Sequence, residues 1–242
     1  MILFDLHTHI LPGVDDGAKN LETALEMIRF AVEHGTRAIA LTPHVTAEDR
    51  DDFVSQVENN RRVFELLSDA AKELGVALYL GGEVHVSPFL MENLFDLPLP
   101  TLNKSRYILT EFPYYFPETG YGHVLYDLLS AGYIPLIAHP ERYDAVRRKP
   151  ELAAEWVRMG CQLQLTAASF TGSFGRSIKK LSEQLLKQDL VCCVASDAHD
   201  SRYRTPDLLP AYRRVSTLLS PDRADFLMGG GAARLILTDS AL

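Results

Sequence analysis

The chain has 242 residues, of which 47% are hydrophobic and 23% charged, and a formal net charge of −8. That composition supports a full globular core, and the acidic balance excludes the basic face that nucleic-acid binding requires. No apolar run approaches the roughly 20 residues that cross a bilayer, so membrane insertion is not expected. No basic segment precedes Ile2-Leu3-Phe4, so no secretory signal is expected either, and the cytoplasm is the default compartment.

Short apolar runs alternate with helical patterns along the whole length. Ile2 to Phe4 reads as a first strand leading into His7-Thr8-His9. Leu21, Ala24, Leu25, Ile28, Ala31 and Val32 then share one helical face, closed by Gly35. Ala38 to Leu41 is a second strand, running into Thr42-Pro43-His44. A helical face from Val54 to Leu74 ends at Gly75, and a strand over Ala77 to Leu80 leads through Gly81-Gly82 to Glu83. Pro88 to Pro100 is long for a connection and is expected to form a lid.

Tyr107 to Leu109 is the fourth strand, ending near Glu111, with the aromatic segment Phe112 to Pro117 just beyond. Val124, Leu125, Leu128 and Leu129 mark a helix closed by Gly132. The strand Ile134 to Ala138 delivers His139, and Pro150 opens a helix to about Met159. Strands over Gln162 to Leu165 and Val191 to Ala195 flank a helix marked by Ile178, Leu181, Leu185 and Leu186. Leu208 to Leu219 forms another helix, and a short final one follows Pro221. Nearly continuous apolar strands of this kind suit a parallel sheet covered on both faces. Seven strand–helix repeats without a break in composition favour one domain over residues 1–242, either a closed barrel or a doubly wound sheet.

Cys161, Cys192 and Cys193 make no zinc-type spacing and read as buried hydrophobes, with Cys192 and Cys193 on opposite faces of a strand. The chemistry collects at the strand ends instead. His7, His9, His44, Glu83, Glu111, His139, Asp197 and His199 follow six of the seven strands, and in parallel α/β architectures the carboxyl ends converge on one face. His7 and His9 point to the same side of a strand while Thr8 points away. Taken alone, H-x-H at a strand end fits a structural role equally well. Asp15 and Asp16 read first as turn and cap residues, and Asp16 joins the ligand set because its loop starts at His9. His34 and His123 take ordinary helix positions, and His85 stands as a reserve ligand. Five histidines and four carboxylates exceed the needs of one ion. They suit two or three divalent ions, Mn²⁺ first, with Fe²⁺ or Zn²⁺ as alternatives.

Arg142, in His139-Pro140-Glu141-Arg142, and Arg204 add planar donors suited to phosphate oxygens. With three ions bound, the pocket would carry net positive charge in an acidic protein.

The runs His7-Thr8-His9, Asp15-Asp16-Gly17, Thr42-Pro43-His44, Gly82-Glu83, His139 to Tyr143 and Ser196 to His199 resemble the polymerase-and-histidinol-phosphatase (PHP) superfamily. Thr171 to Gly175 and Arg204-Thr205-Pro206 narrow the resemblance to its bacterial tyrosine-protein phosphatases of capsule and exopolysaccharide systems. That resemblance implies a distorted seven-stranded β/α barrel, a usually manganese trinuclear centre, and hydrolysis of phosphotyrosine on a cognate bacterial tyrosine kinase. The expected mechanism is in-line attack by a hydroxide bridging the ions. Arg142 and Arg204 would stabilise the phosphoryl oxygens, and His44 or His199 would protonate the leaving oxygen if not fully committed to metal. The residues at six positions beyond the three cysteines are Ala167, Ala198 and His199, so the thiol-phosphatase loop is absent. Three other readings stay open: a PHP phosphoesterase acting on a small substrate such as histidinol phosphate, a C–N hydrolase, and a non-catalytic metal-binding module. A homo-oligomer is also left open.

Overall fold

The computed structural model describes residues 2–115 and 118–237. Among them, strands β1 (Leu3–Thr8), β2 (Thr36–Leu41) and β4 (Ala77–Leu80) form a parallel three-stranded sheet in the order β1-β2-β4. A second parallel sheet runs β3 (His44–Val45), β5 (Glu83–His85), β6 (Tyr107–Glu111), β7 (Ile134–Ala138), β8 (Gln162–Thr166) and β9 (Cys193–Ala195). Each of the seven sequence-derived runs overlaps one of these strands. The short strands β3 and β5 were not expected. They continue β2 and β4 beyond breaks at Thr42-Pro43 and Gly81-Gly82, where Pro43 has no N–H to donate to a ladder.

The breaks let the chain change sheets while backbone bonds bridge them. Gly81 donates to Leu41 O at 2.9 Å and Glu83 to Pro43 O at 2.9 Å. At the other side, His9 donates to Ala198 O at 2.8 Å and Asp197 to His7 O at 2.9 Å, joining the end of β1 to the segment after β9. Asp5 reinforces this junction by accepting from Ser196 N at 2.9 Å.

Helix α1 (Leu21–Glu33) starts at Asn20, whose side chain accepts from Thr23 N, and ends before Gly35 at φ 93°. Helix α2 (Arg50–Ala70) is capped by Asp49 and passes through a 3₁₀ turn to Gly75 at φ 66°. The helix expected from Pro150 begins one residue later, as α6 (Glu151–Met159) after α3 (Pro88–Asn93), α4 (Glu118–Ser130) and α5 (Asp144–Arg148). Beyond β8 come α7 (Ala167–Thr171), α8 (Arg176–Lys187) and α9 (Leu209–Leu218). The short final helix expected after Pro221 is instead a series: α10 (Pro221–Asp225), a π-helical turn over Phe226–Gly230 and α11 (Gly231–Leu237). Gly229 permits the close approach there, since a Cβ would lie 2.6 Å from Ile2 O.

Three expectations need correction. Residues 77–80 of β4 are only half-buried or exposed, because among the described residues β4 ends its sheet and no strand covers its outer side. The stretch from Pro88 to Pro100 is anchored, with Leu90, Leu94, Leu97 and Leu99 buried in the core. Cys192 precedes β9, and its Sγ lies 3.8 Å from that of Cys193 and donates to Leu163 O at 3.2 Å, so the two thiols do not face apart.

Candidate metal centre

The carboxyl ends of the strands bring every sequence-derived candidate into one place. His7, at the end of β1, and His9, one residue past it, meet through Nε2 atoms 3.2 Å apart. Thr8 between them points the other way and donates to Ala40 O at 2.8 Å. His44 opens β3, Glu83 opens β5, Glu111 closes β6, His139 follows β7, and Asp197 and His199 follow β9.

Glu83 is the centre of the cluster. Its Oε2 lies 3.1 Å from His44 Nδ1, 3.2 Å from His7 Nε2 and 3.3 Å from His9 Nε2, yet it forms an aligned hydrogen bond with none of them. A fully buried carboxylate oxygen would not go unsatisfied without cost. Three imidazole nitrogens converging on it without donor–acceptor geometry are what cation ligands do. Glu83 Oε1 accepts from His139 Nε2 at 3.0 Å, which also lies 3.6 Å from Glu111 Oε1. Three overlapping groups have ligand atoms close enough to share an ion: His9, Asp16, His44 and His199; His7, His9 and Asp197; and His44, Glu83 and Glu111. His9 and His44 each belong to two groups. The residues therefore fit a multinuclear centre built from imidazole and carboxylate donors.

The candidates differ in enclosure. His7, His9, Glu83, His139 and Asp197 are buried. Asp16 is the most open, its side chain 65% exposed, with Oδ1 3.4 Å from His199 Nε2 and 3.6 Å from His44 Nε2. The reserve residue His85 contacts Glu111 Oε2 through Nδ1 at 3.1 Å.

Electrostatics follow from burial and crowding. Burial works against charge on His7, but the Glu83 and Asp197 carboxylates overturn this and raise its pKa. Burial likewise opposes charge on His9, while Asp15, Asp197 and Glu83 carry its pKa well above the ordinary value. Burial alone would raise the Glu83 carboxyl, but the surrounding imidazoles of His7, His139 and His44 hold it well below the usual range. Asp197 is also held well below despite burial, by His7, His9, His139 and Arg204.

Sequence reasoning missed the groups that orient the candidate ligands. Asp15, read as a turn residue, accepts from His9 Nδ1 at 2.7 Å, from Gly17 N at 2.9 Å and from His44 N at 3.1 Å. Gln164 on β8 holds His7 Nδ1 at 3.0 Å and His139 N at 3.3 Å through Oε1. Such partners fix which ring nitrogen faces a metal. Alternation along β8 offered only a buried polar residue as a signal for Gln164. Two of the candidate ligands also sit in strained backbone, His139 at φ 35° and Asp197 at φ 55°. Non-glycine residues rarely adopt this left-handed region, and such strain clusters at functional sites.

Above the cluster lies a cavity of about 390 Å³ bounded by His44, Glu111, Tyr114, Arg142, His199 and Arg204 among others. Arg142 Nη1 and Arg204 Nη2 both reach Asp197 Oδ2, at 2.7 and 2.8 Å. Arg142 also donates to Tyr114 OH, and its guanidinium carbon sits 5.4 Å from the Tyr114 ring centroid and 5.0 Å from that of Phe174. Within the aromatic segment expected at the mouth, Phe112 is buried in the core, Tyr114 lines the cavity, and Tyr115 is 90% exposed. Phe116 and Pro117 lie outside the described residues.

Parallel strands that gather imidazoles, carboxylates and two guanidiniums at one mouth make a site of the metal-dependent hydrolase class. The chain matches the family of capsular polysaccharide synthesis proteins CpsB/CapC over residues 3–237, and it belongs to that family. It is 35% identical over 204 residues to the tyrosine-protein phosphatase YwqE of Bacillus subtilis, covering 84% of this chain and 79% of that one. It is 31% identical to the tyrosine-protein phosphatase CpsB of Streptococcus pneumoniae, covering 97% and 98% of the two chains. Among solved structures, that of YwqE and CpsB, described as unique metal-dependent tyrosine phosphatases, superposes with a TM-score of 0.86 at 31% identity. It covers 100% of this chain and 96% of that one. A phosphotriesterase homology protein of Escherichia coli shares the fold alone, at a TM-score of 0.57 and 11% identity, with 96% and 97% of the chains covered.

Proposed function

We propose that this protein is a metal-dependent protein-tyrosine phosphatase that acts on a phosphotyrosine-bearing bacterial tyrosine kinase in capsule or exopolysaccharide regulation. The observation that carries the reading is Glu83 Oε2, buried among three imidazole nitrogens with no aligned hydrogen bond. Family membership and the tyrosine phosphatases YwqE and CpsB supply the substrate class. In this reading the interrupted strands count as seven positions of a distorted barrel, and the whole chain serves as one catalytic unit.

His7, His9, Asp16, His44, Glu83, Glu111, His139, Asp197 and His199 would hold two or three divalent ions, with Mn²⁺ as the proposed species. When bound, such ions acidify coordinated water and neutralise charge on phosphoryl oxygens. The chain's own residues do the rest. Arg142 and Arg204 project into the cavity from fixed positions against Asp197, so their remaining N–H groups are preorganised for the phosphoryl group. Preorganisation matters because the donors need not reorient as charge develops. Tyr114 borders the same cavity and offers an aromatic face to the substrate ring. His44, with its side chain 30% exposed, and His199, at 8%, both border the cavity, and whichever of them is not committed to an ion would give a proton to the leaving phenolate. Burial lowers the His199 pKa to about 4, whereas the Glu83 carboxylate raises that of His44 against burial, which favours His44.

The test is a substrate panel run before and after chelator treatment and metal restoration. A phosphotyrosine peptide should be the best substrate, ahead of a phosphoserine peptide and histidinol phosphate, with activity lost on chelation and regained with Mn²⁺. Preference for histidinol phosphate would overturn the substrate class, and full activity in metal-free protein would overturn the chemistry.

A further inference from the structure

A second cavity, of about 690 Å³, lies away from the metal centre, between α2, the outer side of β4 and the segment before β6. Phe64, Leu78, Leu80, Leu99 and Tyr133 give it an apolar lining. Its size and lining are those of small-molecule sites, which combine apolar walls with a few placed polar groups.

Three features distinguish this cavity from a packing defect. Asn60, on α2, lines it, is only 6% exposed and has no hydrogen-bond partner among the described residues. Its amide opens onto the cavity and is left to bond water or a polar group of a ligand there, the kind of placed polar group that small-molecule sites use. Asn103 and Lys104, consecutive on the opposite wall, both take left-handed backbone, at φ 51° and 60°. That strain sets Lys104 at the rim. Arg61 and Lys104 are exposed there without an ion-pair partner among the described residues, against the single carboxylate of Glu65 in the lining, leaving a positive rim on an acidic protein.

The cavity also touches the metal centre's support. Leu80 and Gly81 line it, and Glu83 lies two residues beyond Gly81. A Cβ at Gly81 would meet Leu102 Cδ2 at 2.7 Å, and one at Gly82 would meet Pro100 Cγ at 2.7 Å. The wall segment and the backbone that carries Glu83 are thus in direct contact, with no slack between them.

We propose that this cavity is a regulatory site for a small aromatic anion. Its ring system would lie against Phe64, Leu78 and Tyr133, a polar atom would bond the Asn60 amide, and its anionic group would face Arg61 and Lys104. The binding half of the proposal is read without turnover, so failure of the phosphatase reading would leave it standing. The regulatory half rests on that reading.

Anilinonaphthalene sulfonate, an aromatic anion, is the probe. It is titrated by fluorescence into the metal-loaded protein with saturating inorganic phosphate, which occupies the other anion site. One saturable site is expected. Lys104→Gly, which removes the charge and suits the left-handed backbone, and Asn60→Leu should each weaken it about tenfold. Leu78→Trp should fill the cavity and abolish it. Unchanged dye affinity in folded Lys104→Gly and Asn60→Leu proteins would overturn the site. In phosphate-free buffer, the dye should change kcat/KM for an aryl phosphate about fivefold or more in wild type and not in Leu78→Trp. Equal turnover with and without saturating dye would overturn the regulatory role.

Discussion

Arg142 donates from Nη1 to Oδ2 of Asp197 at 2.7 Å. The other oxygen of that carboxylate faces the imidazoles, with Oδ1 3.6 Å from His7 Nε2 and 3.5 Å from His9 Nε2. One buried side chain therefore ties the cavity-lining guanidinium of Arg142 to the imidazole and carboxylate cluster, although Asp197 lies 55 residues away from it in sequence.

Arg142→Lys should lower kcat on an aryl phosphate by about 100-fold while leaving metal content unchanged. Lysine has no planar fork to bridge Asp197 and the cavity, and it cannot stack between Tyr114 and Phe174. Steady-state kinetics beside metal analysis checks this, and loss of bound metal with retained kcat would refute it.

Asp15→Asn should weaken metal binding by about 10-fold to 100-fold. The carboxylate holds His9 Nδ1 at 2.7 Å and simultaneously accepts from Gly17 N and His44 N, so it orients two candidate ligands. Competition against a chelator of known affinity measures the loss. Affinity equal to wild type would show that the loop positions His9 without it.

Gly17→Ala should destabilise the protein by more than about 3 kcal/mol, because the new methyl overpacks the site. Its Cβ would lie 1.9 Å from His9 O, a backbone atom that cannot move without shifting the His9 imidazole. Gly122→Ala, in α4 with nothing within 4 Å of the added Cβ, should instead stabilise by about 0.5–1 kcal/mol. Denaturant titrations of the pair separate steric from conformational effects.

Cys161 should resist alkylation by iodoacetamide in the folded protein. Burial pushes its thiol up from 9.0 to about 12, which cuts the thiolate fraction at pH 8 by about 1000-fold. The folded state holds its proton more tightly than the unfolded state does. Its contribution to stability is therefore intact below pH 9 and is lost as pH rises from there through about 12. Mass spectrometry before and after unfolding at pH 8 reads the difference, and rapid labelling of native Cys161 would contradict its burial.

Much of this architecture was legible along the chain because the signals are local. Apolar runs, helical faces and terminal glycines such as Gly35, Gly75 and Gly160 each act within a few residues. The convergence of the candidate ligands was legible for the same reason: parallel strands end on one face, so a histidine or carboxylate just past a strand is placed without knowing its partners. The breaks that create β3 and β5 were not, since two or three residues of strand carry no periodicity.

Pairings across the fold belong to tertiary structure alone. Nothing near Gln164 announces that it will hold His7, 157 residues earlier, and nothing near Asp5 announces Ser196, 191 residues later. Asp15 looked like a turn residue because its turn is local, whereas its bond to the His44 backbone spans 29 residues. The sequence alone determined which residue types stand at the strand ends. Only the packed structure decided how they are oriented, which oxygen of Asp197 meets the arginines, and where the edge of β4 leaves a cavity. Orientation depends on contacts between distant segments, and these exist only once the chain has closed on itself.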